Sequence, residues 1–178
     1  MATNQTDAQT TYLSFMIGDE RFAVNVSRVL EVLQKQVVTP VPNSPDYFNG
    51  VINFRGEIIP VVDTRVKFNL PVTGYDDKHV IIVIEIQLEK EAIITGAIAD
   101  RVKDVINISE QEIMPVPRMS NQFRTDFFTG IVKRDEGFIL IINFDRLIMS
   151  DESLQLVEFT QASAGILAEE ANSEAATA

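Results

Sequence analysis

The chain has 178 residues, 46% of them apolar, with no cysteine, one histidine and a formal net charge of −11. Zero cysteines excludes disulfides and thiolate metal sites, and no run approaches the roughly 18 uninterrupted apolar residues of a membrane-crossing helix. Residues 1–150 hold 20 acids against 15 bases and residues 151–178 hold six acids and no base; such a surface, without a Lys/Arg cluster, repels nucleic-acid backbones and anionic lipid head groups.

Residues 1–10 are polar and lack the apolar core of a secretory signal, so a flexible N-terminus and a cytoplasmic location are expected. Residues 12–17 and 21–24 flank Gly18-Asp19 and predict a hairpin with a tight polar turn. Val26, Val29, Leu30 and Leu33 fit one helical face, with Asn25 or Ser27 as cap, and predict a short helix bridging two strands. After Pro40-Val41-Pro42, Ser44-Pro45-Asp46 reads as a helix start with proline in the first turn, ending at Gly50. Val51-Ile52 and residues 58–62 are predicted strands joined by a turn over 53–57, and Pro60 points to an edge or a bulge. The plan returns in residues 80–86, 92–99, 101–106, 115–117, 130–132 and 138–142. Residues 150–164 read as a further helix capped by Ser150 or Asp151, and the Ala/Glu/Ser-rich end beyond Gly165 as frayed.

That return is literal. Arg28-Val29-Leu30-Glu31-Val32-Leu33 reappears 73 positions on as Arg101-Val102-Lys103-Asp104-Val105-Ile106, Pro40-Val41-Pro42 reappears 75 on as Pro115-Val116-Pro117, and residues 46–63 lie without gaps on 126–143 at an offset of 80. Blocks that keep their order while the offset grows are the mark of an old duplication. Short β-branched strands, about five to a copy, predict a mainly β fold of two small closed barrels, subdomain 1 over about 11–70 and subdomain 2 over about 78–148, with an acidic tail at 151–178.

The copies disagree most where Asn53-Phe54-Arg55-Gly56 faces Lys133-Arg134-Asp135-Glu136, so the scaffold alone does not require Arg55. Asn53 and Gly56 are the residue types that permit positive φ, which fixes the turn and aims a guanidinium able to grip a carboxylate or a row of carbonyls. Glu31 is its candidate partner, a bridge that Asp104 and Asp135 could not form in the second copy. Catalytic signatures are scarce. His79 follows Asp76-Asp77-Lys78 and reads as a solvated loop residue, and no Gly-x-Ser-x-Gly elbow, Walker loop or dinucleotide fingerprint is present. Asp63 ends an apolar run where a receiver's phosphoacceptor would sit; without the receiver's long helices and acidic pair, a capping or turn role is expected. No enzyme activity, cofactor or metal is expected.

The run from Gly50 through Asn53-Phe54-Arg55-Gly56 and Ile59-Pro60-Val61-Val62 to Asp63, following Pro45-Asp46-Tyr47-Phe48, closely resembles the CheW family of chemotaxis coupling proteins, whose hallmark is an Asn-x-Arg-Gly turn leading into an Ile-Pro-Val-x-Asp strand. Phe15-x-x-Gly18-Asp19-Glu20-x-Phe22, Val29-x-Glu31-Val32 and Gly96-x-x-x-Asp100-x-Val102-x-x-Val105 match as well, so the likeness covers about residues 11–150. It implies one CheW-like domain of two SH3-like five-stranded β-barrels packed side by side, with short helices and a C-terminal helix or tail. It implies a non-enzymatic adaptor at membrane-associated chemoreceptor clusters. One face would bind the cytoplasmic helical hairpin tip of methyl-accepting chemoreceptors and another the CheW-like regulatory domain of the histidine kinase CheA; because the two barrels resemble each other and that domain, head-to-tail contacts could close into mixed rings. Carried over position by position, Val29, Glu31, Gly50, Asn53, Arg55 and Gly56 are the receptor-contact candidates, with a Glu31–Arg55 ion pair beside the groove. Val102, twin of Val29, extends the other wall; kinase-contact residues are not assigned. Thr64 departs from the family's usual leucine, and the acidic extension follows no family motif. The alternatives are an equivalent adaptor of a non-flagellar pathway such as type IV pilus motility, or a small-molecule-binding barrel, which would need a polar cavity that Val/Ile-rich strands do not offer.

Overall fold

The computed structural model describes residues 8–34, 36–71, 79–117, 125–135 and 137–149. Ten strands dominate: β1 (Gln9–Ile17), β2 (Glu20–Asn25), β3 (Val29–Gln34), β4 (Phe48–Phe54), β5 (Glu57–Asp63), β6 (Val80–Gln87), β7 (Ala92–Ala99), β8 (Arg101–Ser109), β9 (Phe128–Arg134) and β10 (Gly137–Ile142). Two short α-helices, α1 (Thr64–Lys67) and α2 (Phe144–Met149), and two single 3-10 turns complete the described elements. The strands form two five-stranded sheets, ordered β8-β1-β2-β10-β9 and β3-β6-β7-β5-β4.

Those orders change the meaning of the duplication. Each sheet takes a hairpin from one sequence repeat and three strands from the other, so a boundary near 70–78 divides the repeats along the chain but not the sheets in space. The registers show the repeat. Ala23 opposite Ile141 in the first sheet has as its twin Gly96 opposite Val61 in the second, at offsets of 73 and 80. The bulges repeat as well, at Leu30 and Lys103 and at Asn49 and Thr129, and so do the lone bridges Thr39–Val51 and Met114–Ile131.

Three apolar clusters explain why the halves need each other. Ile52, Phe54, Ile59, Val61, Ile81, Val83 and Ile98 pack together from one sheet, and Tyr12, Ala23, Ile108, Val132, Ile139 and Ile141 from the other, so each sheet curls around its own core. The largest cluster lies between the barrels and includes Leu13, Phe15 and Ile17 of β1 with Ile82, Ile84 and Ile86 of β6. Strand β6 therefore alternates with period two between cores, Ile81 and Val83 facing one and Val80, Ile82, Ile84 and Ile86 the other. A strand buried on both faces reads as the continuous apolar run seen here.

Four local expectations fail for identifiable reasons. The helix expected from Val26 is one 3-10 turn, Val26–Arg28, after which the chain is β3. The bulge at Leu30 inserts a residue into the ladder on β6, and an interrupted period of two imitates a helical spacing. The segment opened by Ser44 is only a turn, closed by the Phe48 N–H donating to the Pro45 carbonyl at 2.9 Å, because Tyr47 and Phe48 bury into the shared core. Gly50 lies inside β4 at φ +143°, and a Cβ there would stand 2.2 Å from the Thr39 carbonyl oxygen; the glycine admits that crossing. Pro60 is on an interior strand, in register with Val51, whose own N–H and C=O bond Thr39. The missing proline N–H thus falls on the β7 side, immediately before the parallel ladder starts at Val61. The helix expected over 150–164 and the end beyond it lie outside the described residues.

Candidate functional site

The β4–β5 hairpin closes on two residues, Arg55 at φ +51° and Gly56 at φ +86°, the positive pair of a type I′ turn. The sequence suggested Asn53 and Gly56 as the positive-φ positions; the structure assigns Arg55 in place of Asn53. Asn53 instead supports the turn, its Oδ1 accepting the Gly56 N–H at 3.0 Å. A left-handed arginine costs about 1 kcal/mol, and Gly56 beside it needs no such compensation. Phe54 is buried in the barrel core directly beneath, and the Arg55 guanidinium carbon stands 4.8 Å from its ring centroid.

Glu31 reaches this turn because of the β3 bulge. Without it Val29 and Glu31 would share a face. With it Val29 sits opposite Ile84 against the shared core, while Glu31 sits opposite Val83, whose side chain belongs to the barrel under Arg55. The expected pair forms, with Arg55 Nη2 donating to Glu31 Oε2 at 3.0 Å. Its side chains keep 68% and 41% of their surface exposed. An ion pair this wet contributes about 0–1 kcal/mol to stability, so stability does not account for the arrangement. What the pair and the Phe54 ring do is hold a cation still at the tip of a rigid hairpin, with donor capacity left for a ligand.

The second repeat has no such tip. Asp104, twin of Glu31, bonds the buried Ser14 hydroxyl and Arg21 instead, and the Ser14 hydroxyl followed by Arg21 holds its carboxyl below the usual carboxylate range. Val102 stands opposite Phe15 and packs, like Val29, on the margin of the shared core, so one apolar body joins the two valines from the end strands of the two sheets. Gly50 is buried and serves the β4–Thr39 crossing. Phe54 is the site residue that sequence reasoning missed; its only signal was its place between Asn53 and Arg55.

Asp63 is buried and caps α1, its Oδ1 accepting the Arg65 N–H at 2.9 Å, and its twin Asn143 accepts the Arg146 N–H at 3.1 Å. Thr64, the departure from the family pattern, is fully buried with its hydroxyl donating to the Ile98 carbonyl at 2.6 Å. His79 is half-buried just before β6. Among the described residues no cluster of three or more His, Asp or Glu could hold a metal ion, and no helix is long and apolar enough to cross a membrane.

Residues 11–152 match the family described as CheW-like domain. The chain is 30% identical over 141 residues to the chemotaxis protein CheW of Klebsiella aerogenes, covering 79% of this chain and 82% of that one. It is 31% identical over 150 residues to the probable chemotaxis protein CheW of Rhizobium etli, covering 84% and 93%. Among solved structures, the scaffolding protein TtCheW from Thermoanaerobacter tengcongensis superposes with a TM-score of 0.71 at 31% identity, covering 81% of this chain and 95% of that one.

Proposed function

This chain belongs to the CheW-like family of chemotaxis adaptors, and on that premise we propose that it couples methyl-accepting chemoreceptors to the histidine kinase CheA without catalysing any step. The observation that carries the receptor side is Arg55, exposed at the tip of a type I′ hairpin, lying over Phe54 and tethered by Glu31. The receptor's helical hairpin tip lies along the margin of the shared core, where Val29 and Val102 supply apolar contact and Arg55 sets orientation, its remaining donors gripping a helix carboxylate or carbonyls. Asn53 and Gly56 hold the turn, and Gly50 keeps β4 seated under it. The kinase's CheW-like domain takes another face, in the cytoplasm beneath the receptor clusters.

An adaptor needs two faces and a rigid body between them, and a common core supporting both barrels supports that reading. Each contact can be weak because receptors and kinases in clusters multiply it. Signal transfer is then a coupling free energy of about 1–3 kcal/mol between receptor state and kinase state. Co-sedimentation with a receptor hairpin and with the kinase regulatory domain, separately and together, tests the reading. Arg55→Ala is expected to weaken receptor capture at least about tenfold, as for an interface arginine, and to leave kinase-domain capture intact. Wild-type receptor capture by the stably folded variant would contradict the assignment.

A further inference from the structure

The repeat that builds two matching barrels leaves their mouths unlike. In the second sheet the hairpin end carries Phe54, whose ring is buried in the barrel core. The twin of Phe54 in the first sheet is Arg134, whose guanidinium turns to Glu112 and to the Asn107 carbonyl. A cleft of about 260 Å³ opens beside it, lined by Arg21, Lys103 and Arg134 together with Met16 and the 59%-exposed Phe138. Asp19 and Glu20 are the acids of its lining, so cations outnumber acids here in a chain whose acids outnumber its bases 26 to 15. Arg21 spends Nε and Nη2 on Ser14 and Asp104, and its Nη1 has no partner among the described residues.

We propose that this cleft is a docking site for an acidic, apolar peptide segment, and that its occupant is the stretch 166–174 of the same chain, whose Ile166 and Leu167 meet Met16 and Phe138 while Glu169, Glu170 and Glu174 meet Arg21, Lys103 and Arg134. Chemistry and reach both select it. Residues 151–178 carry six acids and no base, the complement of this lining. The cleft is walled by the start of β10, and the six residues of β10 followed by the six of α2 put Met149 at most about 30 Å from it. By the random-coil relation, 17 residues, the number from Met149 to Ile166, would have an average span of about 21–25 Å, of the order of that separation. A tether whose span matches its gap presents the segment at about millimolar effective concentration, enough for a weak contact to form.

The chain's lack of cysteine makes the test direct, because two introduced thiols are then the only ones. Spin labels at Asp135→Cys and Ser173→Cys in the full chain are expected to give a narrow short-distance band. That band should fall about fivefold with Lys103→Glu or Phe138→Ala, judged by a melt to be folded. It should fall likewise with Glu169→Gln, Glu170→Gln and Glu174→Gln together, which leave the folded body untouched. A broad distribution in the unaltered tail, or a short band indifferent to all these changes, overturns the proposal. A short band arising only between singly labelled chains after mixing assigns the cleft to a second copy's tail and overturns the within-chain docking.

Discussion

Gly50→Ala is the perturbation whose cost can be worked out most fully. A Cβ at this position stands 2.2 Å from the Thr39 carbonyl oxygen and 2.8 Å from Val38 Cγ1, and the backbone holds φ at +143°. Strained backbone contributes about 1–3 kcal/mol and overpacking about another 1–3 kcal/mol. Pushing Thr39 away also loosens the reciprocal Thr39–Val51 hydrogen bonds, at about 1 kcal/mol each. The sum, about 4–8 kcal/mol, is a large fraction of the 5–15 kcal/mol that holds a typical domain together. At about 2–4 °C per kcal/mol the melting temperature falls by roughly 8–32 °C. The twin change Gly130→Ala meets the Ile113 Cγ2 methyl at 2.3 Å and the Met114 carbonyl oxygen at 2.8 Å, but without a positive φ, so it costs less, about 1–3 kcal/mol. Paired thermal and urea melts of the two variants measure the order. Equal losses, or a loss below about 1 kcal/mol at Gly50, would refute the claim that backbone conformation and the Thr39 crossing make this position a glycine.

Two further outcomes follow from the interleaved sheets and from the acids of the first barrel. Cutting the chain between residues 74 and 75 yields fragments that each lack strands of both sheets, so neither is expected to fold alone, and a one-to-one mixture is expected to recover the native β circular dichroism; a folded isolated half would rule out the strand exchange. Asp104 has a folded pKa below its unfolded value, so its contribution to stability is present above about pH 4 and is lost as pH falls through the folded value. The melting gap between wild type and Asp104→Asn should therefore persist from pH 7 to 5 and close on further acidification, and a gap unchanged at pH 2 would show that the carboxylate charge is not its cause.

The β1–β2 hairpin, the Arg55 hairpin and the strands β6 and β7 were legible because turn chemistry and apolar runs are local signals. The Glu31–Arg55 pair was legible through the contrast with Asp104 and Asp135. The exchange of hairpins between repeats was not, since the repeat fixes which segments resemble each other and says nothing of which copy a hairpin joins. The bulge at Leu30 hid β3 behind a helical spacing, and that bulge is what turns Glu31 towards Arg55. Gly50 read as a helix terminus because a steric demand set by Thr39, distant in sequence, leaves no local trace.

Whether Arg55 serves the receptor or only its own chain is decided by exchanging the charges. Arg55→Glu with Glu31→Arg restores an ion pair across the same 3.0 Å contact and should melt within about 2–4 °C of wild type, an exposed pair being worth about 1 kcal/mol or less. Receptor-hairpin binding by the exchanged protein, measured by co-sedimentation beside each single variant, should stay lost, because the cation is no longer at the hairpin tip. Recovery of wild-type binding would show that the pair matters only as an internal brace and would contradict the assignment of Arg55 as the residue that grips the receptor.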